Sequence, residues 1–180
     1  MTKEELKAKK AAFEAKQKEL NKLRADLEAE ARENLTTFMT ATLEEQVFSQ
    51  YPFVQGVYWR QYTPYFNDGD TCEFSVNDVE LVVSRAWFNT AKKTHKDDIY
   101  ESESFEREGD PADDLVGEDT SMLSVSCYSG GPAELQAAER LANKIVHDYG
   151  EDLLKQVFGD HREIVVLRDG TYEAKEYDHE

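Results

Sequence analysis

VQGVYWRQYTPYFNDGDTCEFSVNDVELVVS (Val54–Ser84) alternates with the period of an extended chain. Val57 and Trp59 point to one side while Tyr58, Arg60 and Tyr62 point to the other, as successive strand side chains must. Aromatic and β-branched residues suit such a surface. Pro64 cannot donate to a ladder and ends the first strand, and Asn67-Asp68-Gly69-Asp70 supplies the residue types that tolerate a tight reversal. A second strand then places Cys72, Phe74 and Val76 on one face. Asn77-Asp78 is expected to turn the chain into a third strand with Val79, Leu81 and Val83 inward, completing an antiparallel meander.

The run Trp59-Arg60-Gln61-Tyr62-Thr63-Pro64-Tyr65-Phe66-Asn67-Asp68-Gly69-Asp70, continued by Cys72-Glu73-Phe74-Ser75-Val76, resembles a block in uncharacterised proteins of tailed bacteriophages and some bacteria. The resemblance covers the hairpin and its flanks, less than a quarter of the chain. It implies a phage setting, with the host cell cytoplasm as the compartment, and no chemistry.

Outward from this block, Met122 to Tyr128 alternates again, with Leu123, Val125 and Cys127 on one face and Ser124 and Ser126 on a wet one. Ile164 to Leu167 and Tyr172 to Tyr177 read as two further strands around Arg168-Asp169-Gly170. Between them, Pro132 is expected at the first position of a helix carrying Leu135, Ala138, Leu141, Ala142, Ile145 and Tyr149. A shorter helix with Leu153, Leu154, Val157 and Phe158 stops at Gly159. Arg85 to Phe88 suits either a strand or a short helix.

Met1 to Gln50 contains neither Gly nor Pro and is rich in good helix formers. Leu6, Phe13, Leu20 and Leu27 recur every seven residues, but Lys9, Lys16 and Glu30 fill most of the companion position. Three surfaces suit such a thin stripe: another copy of the chain, its own body, or a partner protein. Phe38, Met39, Leu43, Val47 and Phe48 then broaden the apolar face to that of a helix packed on a sheet. Thr36-Thr37, or Thr42 with Glu45, marks a candidate break between a protruding helix and a docked one. The expected organisation is an N-terminal helix over 1–34, with coiled-coil character, followed by a single α+β domain over 35–180. That domain is an antiparallel sheet of five or six strands with packed helices.

No segment approaches a membrane span, and MTKEELKAKK lacks the apolar core of a signal peptide, so a soluble cytoplasmic chain is expected. Cys72 and Cys127 read as buried free thiols of a reducing compartment. The net charge of -17 is uneven: residues 92–119 carry four basic and eleven acidic side chains, and residues 1–50 carry nine and ten. Such a body repels nucleic acid and anionic membrane and attracts a basic protein surface, though acidity also serves solubility alone. Residues 92–120 read as a long acidic loop. Its Asp97, Asp98, Glu101, Glu103, Phe105, Asp113 and Asp114 are the candidate partner-binding residues.

Three smaller constellations remain. Tyr58, Arg60, Tyr62 and Tyr65 form a candidate surface aromatic cluster with one cation, too little positive charge for nucleic acid. Ser129-Gly130-Gly131 before a helix is a candidate anion-binding turn, although its spacing matches no phosphate loop and a plain tight turn accounts for it equally. Asp68, Asp70 and Glu73 offer oxygen ligands for a hard cation, in a place where turn-forming Asp is expected anyway. No cofactor signature is present. The leading expectation is a non-enzymatic acidic protein that binds a host or phage protein, in its sharper form an inhibitor mimicking nucleic acid. The alternatives are a small metal-dependent enzyme centred on Asp68, Asp70 and Glu73, and an assembly component oligomerising through residues 1–34.

Overall fold

The computed structural model describes residues 3–65, 69, 71–77, 79–107, 121–127 and 131–177, with only the backbone of 103–107. The chain divides into two compact units, Met1–Leu35 and Thr36–Glu180. The first is helical throughout its described length and belongs to α1 (Lys3–Leu43). Among the described residues, no helix is long and apolar enough to cross a membrane.

The second unit is an α+β fold built on an antiparallel sheet. Its strands are β1 (Val54–Tyr62), β2 (Ser75–Val76), β3 (Glu80–Ser84), β4 (Ile99–Arg107), β5 (Met122–Cys127), β6 (Arg162–Leu167) and β7 (Tyr172–Glu176). The order across the sheet is β4-β5-β3-β1-β6-β7, with β2 also pairing β1. Helix α2 (Arg85–Thr94) follows β3 directly. Ser84 caps it by accepting a hydrogen bond from the Trp87 amide at 3.2 Å. Helices α3 (Ala133–Asp148) and α4 (Glu151–Phe158) lie between β5 and β6.

The Val57–Trp59 side of β1 faces α3 and α4. Trp59 meets Phe158 edge-on at 5.8 Å, and Gln61 donates to the Leu154 and Gly159 carbonyls at 3.1 and 2.6 Å. Trp59 in turn donates its indole N–H to Gln61 at 3.2 Å, so the buried amide is satisfied rather than stranded. Leu81, Val83, Leu123, Val125, Ile164 and Val166 complete this core. Leu135, Ala138, Ala142, Leu154 and Val157 bury against it from the helices.

Several sequence expectations change. β2 and β3 are not separate limbs of a meander. Val76 pairs with Gln61, and the Asn77 amide donates to the Arg60 carbonyl at 2.8 Å. Glu80 pairs with Tyr58, leaving one residue too many. The two segments are therefore one partner of β1, with one residue more than β1 between Asn77 and Val79, the count of a bulge rather than of a reversal. Cys72 and Phe74 precede β2 rather than belonging to it, and Pro132 precedes the first turn of α3. Helix α1 continues through Thr36-Thr37, and the Thr42 hydroxyl donates back to the Phe38 carbonyl at 2.9 Å instead of capping. A π-helical turn, Glu44–Phe48, then buries Val47 and Phe48, while Phe38, expected in the core, is exposed. Ser124, expected on a wet face, is buried and donates to the Ser102 carbonyl.

The largest correction concerns the acidic loop. Residues 92–94 end α2, and Ile99–Arg107 form edge strand β4, paired with β5 from Ile99↔Cys127 to Arg107↔Met122. Residues 108–120 lie outside the described residues.

Candidate functional site

The other side of β1 carries a polar and aromatic array assembled from four strands. Strand alternation sends Tyr58, Arg60 and Tyr62 to this side. Antiparallel register brings β6 Glu163 opposite Arg60, and the bulge aims both Asn77 and Glu80 here. Arg60 Nε donates to the Tyr58 hydroxyl at 2.8 Å, and that hydroxyl donates to Glu163 Oε2 at 3.2 Å. The Arg60 guanidinium also lies 4.7 Å from the Tyr177 ring centroid and 5.8 Å from that of Tyr58. Burial, reinforced by the Glu163 carboxylate, pushes the Tyr58 phenol above its usual range, so it remains a protonated donor. Burial opposes the charge on Arg60, but Tyr58, Tyr177 and Glu80 outweigh it.

Beyond Arg60 the array continues through rings. Tyr62 lies 5.5 Å from Tyr177 and 6.4 Å from His161, and Tyr65 stacks on His161 at 4.7 Å with an interplanar angle of 15°. His161 has φ 53°, a left-handed conformation that costs energy in any residue with a side chain. Asp160 holds it there. Its Oδ1 accepts the amides of Thr63 at 2.8 Å and His161 at 2.9 Å. Its Oδ2 accepts the Thr63 hydroxyl at 2.6 Å and Lys155 Nζ at 3.0 Å. Burial alone would raise the Asp160 carboxyl, but the bonds from Thr63, Lys155 and His161 bring it down to about 2. The His161 backbone closes the site, its carbonyl accepting the Tyr177 amide at 2.9 Å. The His161 Nδ1 is buried and has no hydrogen-bond partner among the described residues.

A cavity of about 420 Å³ opens beside the array, lined by Tyr58, Arg60, Val76, Asn77 and Glu80. Its wall combines a guanidinium, an amide and a carboxylate. Glu80 also accepts from the Ser102 hydroxyl at 3.0 Å, which ties the cavity to β4.

The four residues expected as an aromatic cluster are thus brought together, but on two footings: Tyr58 is buried at the base and Tyr65 is exposed at the rim. The sequence did not place His161, Glu163, Tyr177 or Glu80 in this array. The available signals were weak: a His two residues beyond a glycine, and the alternation of residues 172–177, whose partner only the register names.

Many of the other candidates lie outside the described residues. Asp68 and Asp70 lie outside the described residues and Glu73 is exposed. Among the described residues, no three His, Cys, Asp or Glu side chains are placed to hold a metal ion. Ser129 and Gly130 lie outside the described residues, and the Gly131 carbonyl accepts from Gln136 Nε2 at 2.9 Å. Of the acidic candidates, Asp97 is exposed and Asp98 half-buried, whereas Glu101 is held by both terminal nitrogens of Arg85 at 2.9 and 3.2 Å. The side chains of Glu103 and Phe105, and residues Asp113 and Asp114, lie outside the described residues. Both cysteines are free and half-buried rather than fully buried. Burial and the neighbouring Glu139 carboxylate push the Cys127 thiol up to about 11, far from a reactive thiolate.

No protein-family model, curated protein or solved structure matches the chain.

Proposed function

We propose that the chain is a non-enzymatic protein that binds a partner with a basic surface, using the array around Arg60, Tyr62, Tyr65 and His161. The observation that carries this reading is Tyr65. The residue is 67% exposed, yet its ring is held face to face with His161, at the rim of an array that also contains Glu163. Rigid tyrosines and an arginine are the residue types that dominate the energetics of protein interfaces, because they offer large contact area at small entropic cost. A partner lysine or arginine finds an exposed aromatic ring at Tyr65, and the net charge of -17 steers such a surface inward.

The test is affinity capture on the immobilised full chain, beside a Tyr65→Ala variant shown by circular dichroism to be folded. The expected result is one discrete basic protein, released by moderate salt. Its retention should fall by about tenfold or more with the variant, as for a central interface aromatic. Equal capture by the folded variant would remove this surface from the interaction.

A further inference from the structure

Leu6, Phe13, Leu20, Leu23 and Leu27 are 50% to 66% exposed, a stripe of large apolar side chains along one side of the helix. The charges along this helix are polarised. Residues 3–18 carry six basic and three acidic side chains, and residues 19–35 carry three basic and five acidic ones. We infer that a second copy of this chain covers the stripe, with the two helices antiparallel.

The layers of such a pair show why. With the helices crossing about residue 18, Leu6 faces Glu30, Phe13 faces Leu23, Leu20 faces Lys16 and Leu27 faces Lys9. Every layer then contains a large apolar residue and none contains two like charges. The basic half of each copy also lies along the acidic half of the other. A parallel pair would set Lys9, Lys16 and Glu30 against themselves inside the seam and would align like halves. The flanks favour the parallel arrangement: Glu5 meets Lys10 and Glu19 meets Arg24 there, whereas the antiparallel pair sets Lys10 near Arg24 and Glu19 near its own copy. All are exposed charge pairs of the kind worth least, and like charges in the seam outweigh them. The lysine stems at the seam cover apolar surface while their ammonium groups reach water. This inference is independent of the Tyr65 surface, since it concerns residues 3–35 alone.

The experiment uses the full chain. Sedimentation equilibrium should give twice the chain mass, falling to one chain mass for Phe13→Glu/Leu20→Glu with the same near-ultraviolet dichroism from the body. Orientation is read by oxidation in a Cys72→Ser/Cys127→Ser background. Leu6→Cys alone and Glu30→Cys alone should give no covalent dimer, and an equimolar mixture of the two should give one. Within one helix these positions are about 36 Å apart, too far to bridge. A monomeric intact chain overturns the proposal, and so does a covalent dimer of Leu6→Cys alone.

Discussion

Leu20 and Leu81 are the same side chain under opposite conditions: one is 50% exposed on a helix, the other has no exposed surface in the middle of a sheet. The helix around Leu20 makes its hydrogen bonds within its own segment, and its residues favour that geometry. The sheet around Leu81 depends on partners from distant parts of the chain, Val57 on one side and Val125 on the other. The same hydrophobic chemistry therefore stabilises the fold in one unit and remains available for association in the other.

Five substitutions sharpen or break that contrast. Trp59→Ala should lower unfolding free energy by about 3–5 kcal/mol in urea titration, through lost contacts with Phe158 and a cavity under α4. Leu20→Ala should leave the body's unfolding midpoint in place, and a comparable loss there would end the contrast. Next, Gly56→Ala should cost about 1–3 kcal/mol, because an added Cβ meets Leu167 Cδ2 at 2.7 Å and the Val166 carbonyl at 2.9 Å. An unchanged melting temperature would show that β1 and β6 can move apart.

Asp160 gives a smaller, pH-dependent effect. Its carboxyl is held at about 2, below the usual 3.8, so its stabilisation is complete above pH 4 and is lost as pH falls through 2. Asp160→Asn should be less stable than the parent by about 1 kcal/mol at neutral pH, a figure discounted for the partial exposure of the group. The two stability curves should converge near pH 2. A constant gap across that range would assign the effect to packing. The smallest change should come from His161→Gly: relief of the left-handed strain opposes the lost stacking, and the net effect should lie within about 1 kcal/mol of zero. Partner capture should nevertheless weaken, because Tyr65 loses the ring beneath it.

Much of the α+β architecture could be read from alternation alone, and the reason is visible in Trp59 and Leu123: where one strand face is buried, every second residue must be apolar. β4 escaped because its pattern is that of an edge. Ile99 is its one buried residue among those whose side chains are described, and acids and serines fill most of the remaining positions, as suits a strand that must not pair with another molecule. Its pairing with β5 is a tertiary fact with little local signature. The site divides in the same way. Tyr58, Arg60, Tyr62 and Tyr65 lie within eight residues and were legible as a group. His161 and Tyr177 reach them only through the register of β6 on β1 and of β7 on β6, and the Asn77–Val79 bulge that adds Glu80 uses residues indistinguishable in sequence from a turn.

That bulge works like a reading frame. Upstream of it, Val76 falls in step with Gln61, and downstream, Val79 falls in step with Trp59, so two valines three positions apart share the buried side. Removing one residue there would shift the phase of everything to Ser84, turning Leu81 and Val83 away from the helices and Glu80 toward them. Natural or engineered length variation should therefore be excluded between Asn77 and Val79.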